Sequence, residues 1–480
     1  MKGRETRSRE MNGREARDGE MRDREARDGE IRDGEARDGE IRGREVRDRE
    51  IRSREARDGE IRDREARHRE ISGGRQYRFM ENFAYSREAG TKGEEQAAKR
   101  ICRELEEMGL HPKIEPFSFE TFRVAEESLK ALEPYEKEYP VRAYLNTSNT
   151  KPEGLTGEFL YGENGDEISL SLAENKILLL NGTVRRDMYE KLKKAGALGF
   201  LTLWGGPLDE GEDKAPQPQT LRGVRNPQLP GACIHYNDAR ELVEKGAKRL
   251  KLAIIQEKQE QISHNVRVSI PGTDKSQEIL TLTAHYDSVP QGPGAYDNMA
   301  GCAIIMELCR YFAKHRPRRT MEFIWFGAEE KGLLGSLAYT EQHREELKFH
   351  KFNMNVDLAG QLIGGNVIGV TGDKKICGMI LDMVREENIG VSFKNQIWGS
   401  DSNTFAWKGI PAMTLNRDGF GMHTRHDTLE MISPWSLERS ARLLCCLADK
   451  LGNIEEIPFP RDIPQEMRDE LEKYFEDMVC

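Results

Sequence analysis

Imidazole and carboxylate groups recur in a pattern that could hold metal: His285-x-Asp287, Asp297-Asn298, Glu329-Glu330, Asp357, and a closing His423-x-x-x-Asp427. No thiolate accompanies them. Such a donor set suits zinc, with manganese (Mn2+) or cobalt (Co2+) as alternatives, and offers ligands for two adjacent divalent ions. Two such ions can share a hydroxide and polarise a carbonyl, which is hydrolase chemistry. His285 and Asp287 are two apart, so in extended backbone they point the same way, and Asp287 can orient the imidazole through its N–H. Asp297 leads into a helical run and can offer one oxygen to each ion. Glu329 and Glu330 project differently, so one can ligate while the other acts as general base. Each motif alone is weak, since a Glu-Glu pair is usually a solvated face and Asp-Asn usually a turn. Their joint placement carries the reading.

That placement comes from the elements around them. Ile279–Ala284, Met321–Phe326 and Phe352–Val356 read as buried strands, and His285, Glu329, Glu330 and Asp357 follow directly at their ends. Helical runs at Met299–Lys314, Leu333–Arg344, Lys375–Glu387 and Pro434–Lys450, with a strand at Pro411–Leu415, complete an alternation that predicts a mixed α/β sheet sandwiched by helices. Ligands in such sheets gather beyond the strand carboxyl ends. Upstream, Thr91–Glu94 fits a capping box ahead of an amphipathic helix through Ala97, Ala98, Ile101, Leu105 and Met108, stopped at Gly109.

The spacing predicts four segments. Residues 1–75 are low-complexity decapeptide repeats, variants of IRDREARDGE, whose cationic and acidic residues balance and whose apolar content is too sparse for a core; they are expected to be disordered. Residues 76–129 and 259–455 form the catalytic domain. Residues 130–258 form a small β-rich insert with strands at Lys176–Leu180, Phe200–Trp204, Cys233–Tyr236 and Leu250–Ile255, helices at Asp187–Ala195 and Asp238–Lys245, and a Pro- and Gly-rich loop at Gly205–Pro230. Residues 456–480 carry a tail helix, read as a packing helix, with a homodimer contact as its alternative role.

The formal net charge of −10 and pI near 5.7 argue against a nucleic-acid partner. No apolar run approaches the roughly 20 residues needed for a membrane span. The cysteines lack metal spacing and read as reduced thiols, which with the absent secretory pattern gives a cytoplasmic expectation.

The strings LTAHYDSV (282–289), AYDNMAGCA (295–303), FGAEEKGLLGS (326–336), NVDLAG (355–360), GSDSNTF (399–405) and HTRHDTLE (423–430) resemble the co-catalytic dizinc aminopeptidases, clan MH relatives of aminopeptidase S, aminopeptidase Y and glutamate carboxypeptidase II. KILLLNG, KKAGALGFLTLW and GACIHYNDARELV resemble the protease-associated (PA) domain carried by many of them. The resemblance implies two Zn2+ per chain and peptide substrates. It makes Asp297 the bridging carboxylate, pairs His285 and Asp357 on one ion and Glu330 and His423 on the other, makes Glu329 the base with Asp287 behind His285, and sets Asp401 at the substrate pocket. His426 is the alternative to His423; family spacing to Asp427 selects His423. Ser402 and Met422 depart from a histidine and a tyrosine found in some members. The implied activity is an aminopeptidase working through a dizinc-bridged hydroxide. The alternatives are a non-catalytic scaffold of the transferrin-receptor type, a glutaminyl cyclase, or a glutamate-type carboxypeptidase, for which no arginine cluster is evident in the sequence.

Overall fold

The computed structural model describes Glu65 and residues 69–478. The decapeptide repeats, apart from their last few positions, lie outside the described residues. Fifteen strands follow in chain order: β1 (Lys113–Glu133), β2 (Lys137–Tyr139), β3 (Val141–Leu145), β4 (Leu155–Tyr161), β5 (Lys176–Leu180), β6 (Gly199–Trp204), β7 (Gln219–Thr220), β8 (Gly231–His235), β9 (Arg249–Ile270), β10 (Lys275–His285), β11 (Arg319–Phe326), β12 (His350–Val356), β13 (Asn366–Thr371), β14 (Val391–Asn395) and β15 (Ala412–Arg417).

In the catalytic half the order is β14-β13-β15-β12-β10-β11-β9, with β10, β11, β12 and β15 mutually parallel, β9 antiparallel to β11, and β13 antiparallel to β15 but parallel to β14. Every residue of β11 is buried, as a strand covered on both faces requires. Alternate residues serve opposite cores: Met321, Phe323 and Trp325 join one with the helices Lys92–Glu107, Ala300–Lys314 and Pro434–Asn453, while Ile324 and Phe326 join the other with the helices Ser402–Trp407 and Gln465–Met478. The tail helix thus spends its apolar face, Met467, Leu471 and Phe475, inside its own chain.

The insert behaves the same way at smaller scale. Ile177, Leu179 and Leu201 face one core; Leu178, Leu180 and Phe200 face the other. The expected bounds, 130 and 258, fall inside β1 and β9. β1 and β9 pair antiparallel along nearly their whole length, from Lys113 with Arg267 to Glu133 with Arg249, and run unbroken through both junctions. One continuous sheet therefore joins the insert to the catalytic half. The cause is composition: both strands alternate charged and apolar residues along a two-stranded ribbon, so no hydrophobic run marks their length. The helix Gly73–Met80 begins ahead of the expected bound at 76, with Ile71 already buried.

The capping box at Thr91 is half formed. Thr91 accepts from the Glu94 N–H at 3.4 Å, but Glu94 is turned inward, accepting from the Gly90 N–H at 2.7 Å and from the Ser263 hydroxyl on β9. Packing of this helix on β9 draws the carboxyl away from its own helix end. No helix among the described residues is long and apolar enough to cross a membrane.

Candidate binuclear metal centre

Register brings the first ligands together. Thr283 of β10 pairs with Asn355 of β12, so two residues later His285 and Asp357 emerge side by side. His285 also lies level with Phe326 at the end of β11, and Glu329 and Glu330 follow within one turn. Asp297 stands in the π-type turn Ala295–Met299 that opens the helix Ala300–Lys314. His423 sits on the loop after β15 with a left-handed φ of 60°.

The side chains converge as two sets sharing one carboxylate. His285 Nε2 lies 3.2 Å from Asp297 Oδ1 and 3.3 Å from Asp357 Oδ1. His423 Nε2 lies 3.1 Å from both Asp297 Oδ2 and Glu330 Oε2. Donor atoms of His285, Glu329 and Asp357 fall within 4.8 Å of one another, as do those of Asp297, Glu330 and His423. A tetrahedron with arms of about 2.0–2.1 Å has edges of about 3.3 Å, so these spacings fit zinc ligands. Among the described residues, no Lys or Arg pairs with Asp297, Glu329, Glu330 or Asp357, and Glu330 Oε1 is buried without a hydrogen-bond partner. Clustered carboxylates lacking a cationic partner suit divalent cations.

Asp287, expected behind His285, is 0% exposed. Its Oδ1 accepts from the Glu329 N–H at 3.0 Å and its Oδ2 from the Glu330 N–H at 3.1 Å, while His285 Nδ1 stands 3.5 Å away. It is a positioning residue for three side chains. Asp427 does the same for Asp297, accepting from the N–H groups of Tyr296 at 2.6 Å and Asp297 at 3.0 Å.

Electrostatics follow the crowding. Burial, reinforced by Asp357, Asp401 and Glu330, holds the Glu329 carboxyl well above the usual range. Burial and Asp297 push Glu330 up to about 7. Burial opposes charge on Asp297, yet the imidazoles of His285 and His423 hold its pKa low. Burial also resists charge on His423, but Asp297 and Glu330 raise it to about 11.

Asp401, expected to touch substrate, is 0% exposed, with the Ser336 side chain beside its carboxyl. It begins the short helix Ser402–Trp407 beneath the cleft. Burial takes its pKa to about 7, and it bears on Glu329 through the field rather than on the cleft. The competing imidazole, His426, turns outward and pairs with Asp213 at 3.1 Å.

Above the centre opens a cleft of about 1040 Å³, bordered by Glu330, His423, the insert residues Arg185 and Arg222, and Lys473 and Tyr474 of the tail helix. Sequence reasoning missed Arg185, Arg222, Lys473 and Tyr474 at this wall, and also Arg87. That guanidinium is fully buried and donates to the carbonyls of Tyr286 (2.6 Å), Gly294 (2.9 Å) and Phe83 (3.0 Å), fixing the segment between His285 and Asp297. No local pattern marks a single Arg for such work; its partners Tyr286 and Gly294 lie roughly two hundred residues away.

A helix-covered mixed sheet bearing paired imidazole–carboxylate sets at its strand ends defines the architecture of a binuclear metallohydrolase. Residues 265–448 match the model of Peptidase family M28, and the chain carries an M28 peptidase domain. It is 27% identical over 437 residues to aminopeptidase YwaD of Bacillus subtilis (strain 168), covering 84% of this chain and 91% of that protein. It is 26% identical over 396 residues to carboxypeptidase Q of Bos taurus, covering 77% and 83%. Among solved structures, a zinc aminopeptidase from Bacillus subtilis superposes with a TM-score of 0.69 at 22% identity, covering 83% of this chain and 99% of that one. The aminopeptidase from Aneurinibacillus sp. strain AM-1 superposes with a TM-score of 0.66 at 23% identity, covering 83% and 98%.

Proposed function

We propose that the chain is a dizinc exopeptidase that removes the N-terminal residue of peptides. His285, Asp297 and Asp357 hold one ion; Asp297, Glu330 and His423 hold the other. The observation that carries this reading is the Asp297 carboxylate, with one oxygen 3.2 Å from His285 Nε2 and the other 3.1 Å from His423 Nε2. Two ions bound there supply Lewis acidity toward an amide carbonyl and acidify water. Glu329, half-buried and beside Asp357, Asp401 and Glu330, takes the proton of the attacking water at a carboxylate oxygen and returns it to the leaving amine. Asp287 keeps Glu329 and Glu330 in register through their backbone N–H groups. The carboxylates at the cleft floor receive a free substrate amino group. We assign residues 130–258 to a protease-associated insert, and the free thiols of Cys102, Cys233, Cys302, Cys309 and Cys377 support a reducing, cytoplasmic location.

Glu329→Gln tests the mechanism. It should keep both metals while lowering kcat by roughly 10²–10⁴-fold, the usual contribution of a positioned acid–base group. Near-native turnover removes Glu329 from the role of base.

A carboxypeptidase is the second reading. Arg185 and Lys473 border the cleft with no carboxylate partner among the described residues, supplying cations toward a substrate carboxylate that the sequence alone did not reveal. N-blocked dipeptides separate the two readings: an aminopeptidase leaves them intact, and a carboxypeptidase cleaves them.

A further inference from the structure

The two metal sets are supported differently. His285 and Asp357 stand at the end of and just beyond the buried parallel strands β10 and β12. His423 is on the loop Gly421–Asp427, outside any helix or strand, with its side chain 45% exposed. Glu330 likewise lies in the turn between β11 and the helix Leu334–Gln342.

Two separate insert segments reach these outer ligands. Asp213, in the 3₁₀ turn Gly211–Lys214, accepts from Arg425 Nε at 2.6 Å and Nη2 at 3.2 Å, and its Oδ2 also pairs with His426 Nε2 at 3.1 Å. It thus grips the His423 loop two and three residues past the ligand. Arg222, just beyond β7, donates from Nη2 to the Glu330 backbone carbonyl at 3.0 Å, while its Nη1 rests on Met478 Sδ at 3.3 Å. The inner set is braced otherwise. His285 and Asp357 are backed by Asp287, by Asn416 (which donates to the Asp357 carbonyl at 3.1 Å) and by the Cys302 thiol on the His285 carbonyl. All of these belong to the catalytic half.

We infer that Asp213 and Arg222 are positioning residues through which the insert sets the zinc affinity of the outer set (Asp297, Glu330, His423) and leaves the inner set untouched. This rests on the dizinc reading above. Partners that orient metal ligands typically contribute about 10–100-fold to affinity, and here they act on ligands carried by turns. The insert thereby makes the second ion conditional on its own docking.

Zinc bound per chain, measured by mass spectrometry across a series of chelator-buffered free-zinc concentrations, tests this on the full chain. Native protein should load two ions in two steps, and His423→Gln should abolish the weaker one, identifying it as the outer site. Asp213→Asn and Arg222→Met should each move that step about tenfold or more to higher free zinc while the tighter step stays within about twofold. Arg222→Lys, which keeps a donor, should recover most of the shift. Arg240→Gln, in an exposed pair with Glu244 elsewhere in the insert, should load like native protein. Parallel movement of both steps, or movement of neither, overturns the inference while leaving the dizinc reading intact. Native protein that binds one ion or none overturns both.

Discussion

Replacing Asp287 by Asn keeps shape and volume and removes only charge and one acceptor. In the native chain, two part-buried backbone N–H groups, those of Glu329 and Glu330, donate to the two oxygens of one carboxylate at 3.0 and 3.1 Å. Asparagine can accept at one end only, so its NH2 must face the other N–H, donor against donor. A bond to a charged acceptor contributes about 1.5–3 kcal/mol, and a buried donor left unpaired costs about 1–3 kcal/mol; because the two overlap, the sum here is about 2–4 kcal/mol. Asp287→Asn should therefore shift the urea midpoint of chelator-treated protein by that amount divided by the m-value. A second loss appears only with metal. Asp287 Oδ1 stands 3.5 Å from His285 Nδ1, and losing that orientation should weaken zinc about 10–100-fold. Asp287→Asn protein that unfolds within about 0.5 kcal/mol of native and loads zinc normally would refute the claim that one carboxylate positions three site residues, since unsatisfied buried donors do not go uncharged.

Two further outcomes follow from groups around the site. Burial and the field of Asp287 raise the Glu94 carboxyl to about 8. The native chain therefore holds a proton that the unfolded chain releases near pH 4.5, so this contribution is complete below about pH 4.5 and fades as pH climbs to about 8. The melting temperature of chelated protein should fall between pH 6 and 9, and Glu94→Gln should flatten that slope; an unchanged slope removes Glu94 as its source. Phe475 is 2% exposed and stacks on Trp407 with centroids 4.4 Å apart. Phe475→Ala should cost about 3–5 kcal/mol by thermal denaturation and raise KM as Lys473 and Tyr474 lose their place at the cleft. A loss below about 1 kcal/mol with native KM would mean the tail helix does not build the wall.

What could be read from the chain, and what could not, divides by the range of the interaction that decides each residue's role. His285, Glu329, Glu330 and Asp357 were legible because a parallel strand buried on both faces leaves a short apolar run, and polar residues crowded just past several such runs have few uses except a site at the sheet's carboxyl edge. The same logic missed β13, an antiparallel neighbour of β15 bracketed by glycines, and β1, a strand of 21 residues, and it found only Leu250–Ile255 of the 22-residue β9. Asp401 was found but misplaced, since its motif gives proximity and not exposure. Glu94 matched a local rule that a tertiary contact with Ser263 overrode. Arg87, Asp213 and Arg222 were beyond reach because each works across more than a hundred residues, on carbonyls and loops rather than on recognisable partners. The same long reach makes them informative. A local motif states which atoms meet the metal, whereas these three residues state which parts of the fold must be in place before those atoms can meet. Arg87 ties the start of the catalytic half to the segment between His285 and Asp297, and the insert residues tie the outer ligands to β7 and its flanking turns. The ligand set is therefore written locally, but its assembly is conditional on contacts that only the folded chain contains.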